Sequence, residues 1–198
     1  MTYVDVNLIR YAWNPITCRE VYDETTCRKL MKNPFVRGRR YDEKLEKNIV
    51  SFWRKVKNPV INKTLLRKEM PRALEPSSGS LLGATGIMTK VENIKLFHVD
   101  EEEARRKGIE LMTSGCKAMS ESKLDAREKD FYFSMCEGEK LKPMHELIKA
   151  HGESFERDIK HLGSAFILKE KDFATADHHL LGFKKFIKEI EIKSPSEY

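Results

Sequence analysis

In the stretch FATADHHLLGFKKFIKEI, residues 173–190, the apolar positions Phe173, Ala176, Leu180, Phe183, Ile187 and Ile190 step by 3, 4, 3, 4 and 3. On a helix that spacing keeps every one of them on a single face. The seam runs just over two heptads, short of the roughly three or four an extended coiled coil needs, so it suits an antiparallel helical hairpin or bundle.

Working back along the chain, the same rhythm recurs. Met144, Leu147 or Ile148, His151, Phe155, Ile159 and Leu162 share a face behind Pro143, and Asp125 to Cys136 carries Phe131 and Phe133. Asp100 followed by Glu103 resembles a capping box at the start of a helix on which Ile109, Met112, Cys116 and Met119 fall together. Earlier still, Leu45, Ile49, Phe52 and Val56 step by 4, 3 and 4, with Trp53 beside them, over a helix from about 42 to 57. The pair Phe52-Trp53 reads as core rather than as a stacking platform for bases.

The fold expected is mainly α. A helical bundle or hairpin forms a C-terminal module (87–198), and a basic N-terminal helical arm occupies 1–75. Pro76-Ser77-Ser78-Gly79-Ser80 opens a linker over 76–86. A small β-hairpin turning near Glu92-Asn93 completes the expectation.

Charge is distributed unevenly. The chain of 198 residues carries a formal +6, but Arg28–Arg72 holds fifteen Lys or Arg against four acids, a local +11 that leaves −5 for the remainder. A basic segment of this kind is the footprint of contact with a polyanion: an acidic protein surface, nucleic acid or anionic lipid. Arg37, Arg39 and Arg40 surround a glycine and are the expected anchors, because a planar guanidinium grips phosphate or carboxylate through two donors. Lys29, Lys32, Lys44, Lys47 and Arg54 give diffuse support. The competing reading folds the segment back onto acids of the same chain, such as Asp100–Glu103.

Candidate chemistry is thin. His178 and His179 are adjacent, so on a helix they point about 100° apart rather than sharing a metal as residues three or four apart do. His145, His151 and His161 miss one face, and His98 with Asp100 makes a capping acid beside an ordinary histidine. Gly79, Gly83 and Gly86 form no nucleotide-binding fingerprint. Cys18, Cys27, Cys116 and Cys136 include no C-x-x-C pair, which favours reduced thiols; Cys116 and Cys136 sit on apolar faces where thiols are inert. No catalytic residue, metal ligand or cofactor is assigned.

No run of apolar residues approaches the roughly 20 a spanning helix needs, and Met1–Trp13 lacks the basic start of a secretory signal. The expectation is an intracellular protein, cytoplasmic or nuclear, with an organelle not excluded, in which C-terminal helices offer a route to oligomers. Its expected function is non-catalytic: docking of the basic segment on an acidic protein surface within a larger complex. The alternative is binding of an RNA or DNA backbone, and a metal-dependent enzyme ranks third.

Overall fold

A computed structural model describes residues 1–12, 25, 43–69, 94–136 and 144–198. Among these, seven helices surround a five-stranded sheet in which every pairing is parallel. The strands are β1 (Thr2–Val4), β2 (Pro59–Asn62), β3 (Lys95–Phe97), β4 (Asp172–Ala174) and β5 (Glu191–Lys193), in the order β3-β2-β1-β4-β5. The helices are α1 (Val6–Ala12), α2 (Glu43–Lys55), α3 (Lys63–Glu69), α4 (Glu101–Ser120), α5 (Ala126–Met135), α6 (Met144–Ile167) and α7 (His178–Gly182).

Mainly helical character therefore holds, but the body is a doubly wound sheet rather than a bundle. The chain lays β2 and β3 outward on one side of β1, then crosses back to lay β4 and β5 on the other. In a parallel sheet both faces are covered by helices, so its inner strands are uniformly apolar instead of alternating. Thr2, Tyr3 and Val4 of β1 are all buried, as are all four residues of β2. Strands of three or four such residues carry no period for a sequence reading to detect. β1 and β2 come from before the 76–86 stretch and β3, β4 and β5 from after it, so one sheet draws on both parts of the chain.

The stretch that opened the sequence reading is the largest correction. Residues 173–190 are not one helix: Phe173 and Ala174 lie in β4, His178–Gly182 is a single short helix, and Ile190 leads into β5. Phe173, Leu180, Phe183, Ile187 and Ile190 are nonetheless all buried. The 3-4 rhythm correctly identified which residues face the core, and a strand, a short helix and a loop deliver them there as well as a long helix would. Of the expected β-hairpin, the second arm contains β3, which pairs in parallel with β2; the first arm and the turn at Glu92-Asn93 lie outside the described residues.

α2 falls within its expected span, with Ile49, Phe52, Trp53 and Val56 buried. Trp53 Nε1 donates to the Leu8 carbonyl at 3.1 Å, which satisfies the indole and fixes α2 on α1. Tyr198 packs edge-on against Phe52, so the last residue closes the same cluster.

The tightest packing joins α4 to α6. A Cβ at Gly108 would stand 2.0 Å from the Ile159 carbonyl oxygen, and one at Gly163 would stand 1.9 Å from that of Ala104. These glycines let two backbones touch and seat the second part of α6 against the sheet. The first part is set off by a break at Gly152, whose φ of 78° is left-handed. Asp100 caps α4 by accepting from Glu103 N at 2.9 Å, as its place in the sequence suggests.

Cys116 and Cys136 are not free thiols: they form a disulfide across a sequence separation of 20, tying α4 to the end of α5. Their apolar faces meet because α5 folds back under α4, which a one-dimensional reading does not reveal. Closing a loop of this length contributes about 3 kcal/mol. Urea denaturation should therefore show Cys116→Ser losing about 2–4 kcal/mol. Gly163→Ala should lose about 2–3 kcal/mol, because neither backbone can retreat from the added methyl.

Candidate functional site

In an open parallel α/β sheet, ligands bind outside the carboxyl ends of the strands, at the point where the winding reverses. Here that point lies between β1 and β4. The residues just beyond those strand ends are Asp5 and Thr175.

Asp5 is buried, and it is bound on several sides. Its Oδ2 accepts from Thr175 Oγ1 at 2.6 Å and from Asn7 Nδ2 at 2.8 Å, and its Oδ1 accepts from Asn7 N at 3.3 Å. Asn7 Oδ1 in turn accepts from Ala176 N at 3.2 Å, and Thr175 Oγ1 accepts from Asp177 N at 2.9 Å. The loops after β1 and β4 are thus bonded into one rigid unit. Asp177 ends it by capping α7, accepting from His179 N and Leu180 N at 2.8 and 3.1 Å.

Two more carboxylates act on this unit through their charge. Glu69 ends α3, which starts immediately after β2, and Asp158 lies on α6 one turn before His161. The charges of Asp5, Asp177 and Glu69 all act on Asp158. Burial first, and then those three like charges, push its carboxyl up to about 9. Among the described residues Asp158 has no hydrogen bond or ion pair. Asp5 is also raised, mainly by burial, while the charge of His161 and the Thr175 hydroxyl pull it partly back. Four acids from four elements, at positions 5, 69, 158 and 177, therefore share one electrostatic environment.

Behind the acids runs a buried polar chain. His161 Nε2 lies 2.7 Å from Glu69 Oε1, and His161 Nδ1 lies 2.8 Å from the Tyr3 hydroxyl. Tyr3 also accepts from Asn62 N at 3.2 Å. Asn62 Nδ2 donates to Ser164 Oγ at 2.9 Å and to the Val99 carbonyl at 3.3 Å. Beside Glu69 a pocket of about 270 Å³ opens, with Lys68, Glu101, Glu156, Arg157 and Lys160 among its walls. Lys68 binds Glu101 at 2.6 Å and Lys160 reaches Glu156 at 3.4 Å, so much of this charge is internally compensated. Glu101 is held below the usual carboxylate range by its hydrogen bond from Lys68.

The basic residues selected from the sequence stand differently. Arg37, Arg39, Arg40, Lys29 and Lys32 lie outside the described residues. Lys44, Lys47 and Arg54 are on the exposed side of α2, opposite its buried stripe. Thr64 Oγ1 and His98 Nδ1 are 3.2 Å apart, and Asp100 serves as a cap, so those two residues form no joint site.

His178 and His179 depart from expectation. α7 is only five residues long, and at its first turn the two rings approach to 3.8 Å between centroids. With Asp177 they offer ligand atoms that all lie within 4.8 Å of one another. No known protein family, characterised protein or solved structure matches this chain.

Because Asp158 binds its proton more tightly in the folded state than in the unfolded one, it opposes stability as the pH climbs. The loss begins above the ordinary carboxylate range near 4 and is complete above about 9. Asp158→Asn keeps the shape without the charge. Thermal denaturation at pH 8 in a chelator should find it more stable than the parent by about 1–3 kcal/mol, with little difference at pH 4.

Proposed function

We propose that this chain is a divalent-metal-dependent hydrolase acting on the phosphodiester backbone of nucleic acid. The observation that supports the reading is that the charges of Asp5, Asp177 and Glu69 all bear on Asp158, with Asp5 seated just beyond β1 where the winding reverses between β1 and β4. Like charges gathered away from water are costly unless a cation joins them.

Hard carboxylate oxygens favour Mg²⁺ or Mn²⁺, and Asp158, which has no bonded partner among the described residues, is the acid with most to gain from such an ion. When bound, such an ion polarises a phosphoryl oxygen and lowers the pKa of a water. The chain's own residues supply the frame. Thr175 and Asn7 fix the Asp5 carboxylate, the α7 backbone fixes Asp177, and His161 fixes Glu69.

The substrate class follows from charge. The +11 segment Arg28–Arg72 runs through α2, β2 and α3 and reaches Arg67 and Lys68, next to Glu69. Polyanion binding and a carboxylate cluster together suit cleavage of a phosphate backbone better than either suits docking on an acidic protein, since Asp5 and Asp158 have no part in docking. Arg37, Arg39 and Arg40, with Lys29, Lys32, Lys44, Lys47 and Arg54, keep their role as phosphate contacts in this proposal.

Incubated with labelled RNA and DNA in Mn²⁺ or Mg²⁺, the purified chain should cut at least one of them, and EDTA should stop it. Asp5→Asn and Asp177→Asn should each lower turnover more than ~100-fold while still binding. Replacing Arg37, Arg39 and Arg40 with alanine should weaken binding and flatten its salt dependence. Binding without cleavage in any metal would return the protein to the simple backbone-binding reading, and neither binding nor cleavage would return it to the acidic-partner reading.

A further inference from the structure

The pocket of about 270 Å³ beside Glu69 lies between one face of α3 and one face of α6. Leu65 stands three and four residues before Lys68 and Glu69, and Glu153, Glu156, Arg157 and Lys160 keep the same spacing on α6, which puts side chains on a common face. Most of its charges are spent on one another. Lys68 meets Glu101 at 2.6 Å, Glu101 meets Lys160 at 3.6 Å, Lys160 meets Glu156 at 3.4 Å, and Glu156 meets Arg105 at 3.0 Å, a relay of alternating sign.

Arg157 stands outside that relay. It is half-buried on the wall of the pocket, yet it has no hydrogen bond or ion pair among the described residues. Glu153, the other charged wall residue without one, is exposed, so water serves it. A guanidinium is a planar fork of donors matched to phosphate or carboxylate, and partial burial strips water from it while the protein returns no acceptor. The same arginine immediately precedes Asp158, and its charge acts on that carboxyl, opposing the upward push of burial and of the neighbouring acids. Glu69 is in turn both a wall of the pocket and one of the charges acting on Asp158.

We propose that this pocket is a substrate subsite, in which Arg157 grips a phosphate of the nucleic-acid strand flanking the bond to be cut. The substrate rests on the hydrolase reading, whereas the place rests on the pocket's own geometry. Near Glu69 and Asp158 an anion is repelled until Mn²⁺ or Mg²⁺ offsets their charge, and a phosphate strand has oxygens enough to meet both the ion and the guanidinium. At about 270 Å³ the space is close to the lower end of small-ligand pockets, roughly 300 Å³, so it suits one nucleotide unit rather than a duplex. Leu65 gives that unit an apolar wall.

The test uses the full chain with labelled single-stranded RNA and DNA oligonucleotides in Mn²⁺, read by fluorescence anisotropy and by cleavage. Arg157→Ala should weaken binding about 10- to 100-fold and reduce the salt slope by about 1, as loss of one charge-assisted phosphate contact does. Arg157→Lys keeps the charge without the fork and should recover part of that loss. Arg127→Ala, at an exposed arginine of α5, should stay within about twofold of the parent. Oligonucleotides with a neutral methylphosphonate at one position at a time then locate the contact. In the parent one position should weaken binding about as much as Arg157→Ala does, and in that variant the same position should cost nothing further, a coupling that a merely structural arginine does not produce.

A folded Arg157→Ala that binds and cleaves like the parent would overturn the subsite and leave the hydrolase reading standing. The subsite also falls if the methylphosphonate scan is the same in parent and variant while Mn²⁺ affinity changes, which makes Arg157 a partner of Asp158 alone. If Arg157→Ala does not fold, Arg157→Lys carries the same scan. A parent that binds without cutting still decides the subsite through that scan, whereas a parent that binds neither oligonucleotide ends both readings.

Discussion

The carboxylate of Asp5 meets the Thr175 hydroxyl at 2.6 Å across the seam between the two halves of the sheet. Among the described strands β1 borders both halves, with β2 on one side and β4 on the other. Asp5 lies one residue past its end, buried, where an ionised carboxyl survives only if hydrogen bonds replace its lost water. Thr175 and Asn7 provide those bonds, and doing so fixes the loop after β4 against the loop after β1. Asp177 and the short α7 it caps follow directly from that tie, through the bond from Asp177 N to Thr175 Oγ1. The rest of the site is arranged around a group whose burial the fold has to compensate.

That compensation is incomplete by design of the surroundings, and the shortfall is informative. Asp5 is well bonded, whereas Asp158 faces three like charges with no bonded partner among the described residues. Structural ion pairs in the same molecule look different: Arg105 with Glu156, and Lys68 with Glu101, place opposite charges within 3.0 Å at half-open surfaces. A protein that pairs its surface acids this readily but lets the charges of Asp5, Glu69 and Asp177 bear on Asp158 has a region of negative potential that a small, highly charged cation would relieve. The glycines of α4 and α6 contribute indirectly, because close approach of those helices sets how far Asp158 and His161 reach over the sheet.

Parts of this were legible in one dimension. The α2 stripe, the Asp100 cap, the core role of Phe52 and Trp53, and the apolar members of 173–190 all follow from local rules about period and capping, and the structure places them accordingly. The site was not legible. Its acids are separated by 64, 89 and 19 residues, no spacing rule links them, and each has an ordinary local explanation. A faint signal did exist in Tyr3-Val4-Asp5 and in Phe173-Ala174-Thr175-Ala176-Asp177, two short apolar runs that each end in an acid. Read as strands of a parallel sheet they point at the same edge; read as a docking arm and a helical seam they do not.

The sequence by itself determined which side chains seek the core, where helices start, and where positive charge accumulates, because burial preference, capping and charge are properties of residues and their near neighbours. Only the tertiary structure decided that the apolar positions form parallel strands, that Cys116 meets Cys136, and that the charges of Asp5, Glu69 and Asp177 bear on Asp158. A parallel pair needs a long crossover between its strands, so its partners are remote in sequence by construction. The carboxylates, carried on those strands and their crossovers, inherit that remoteness.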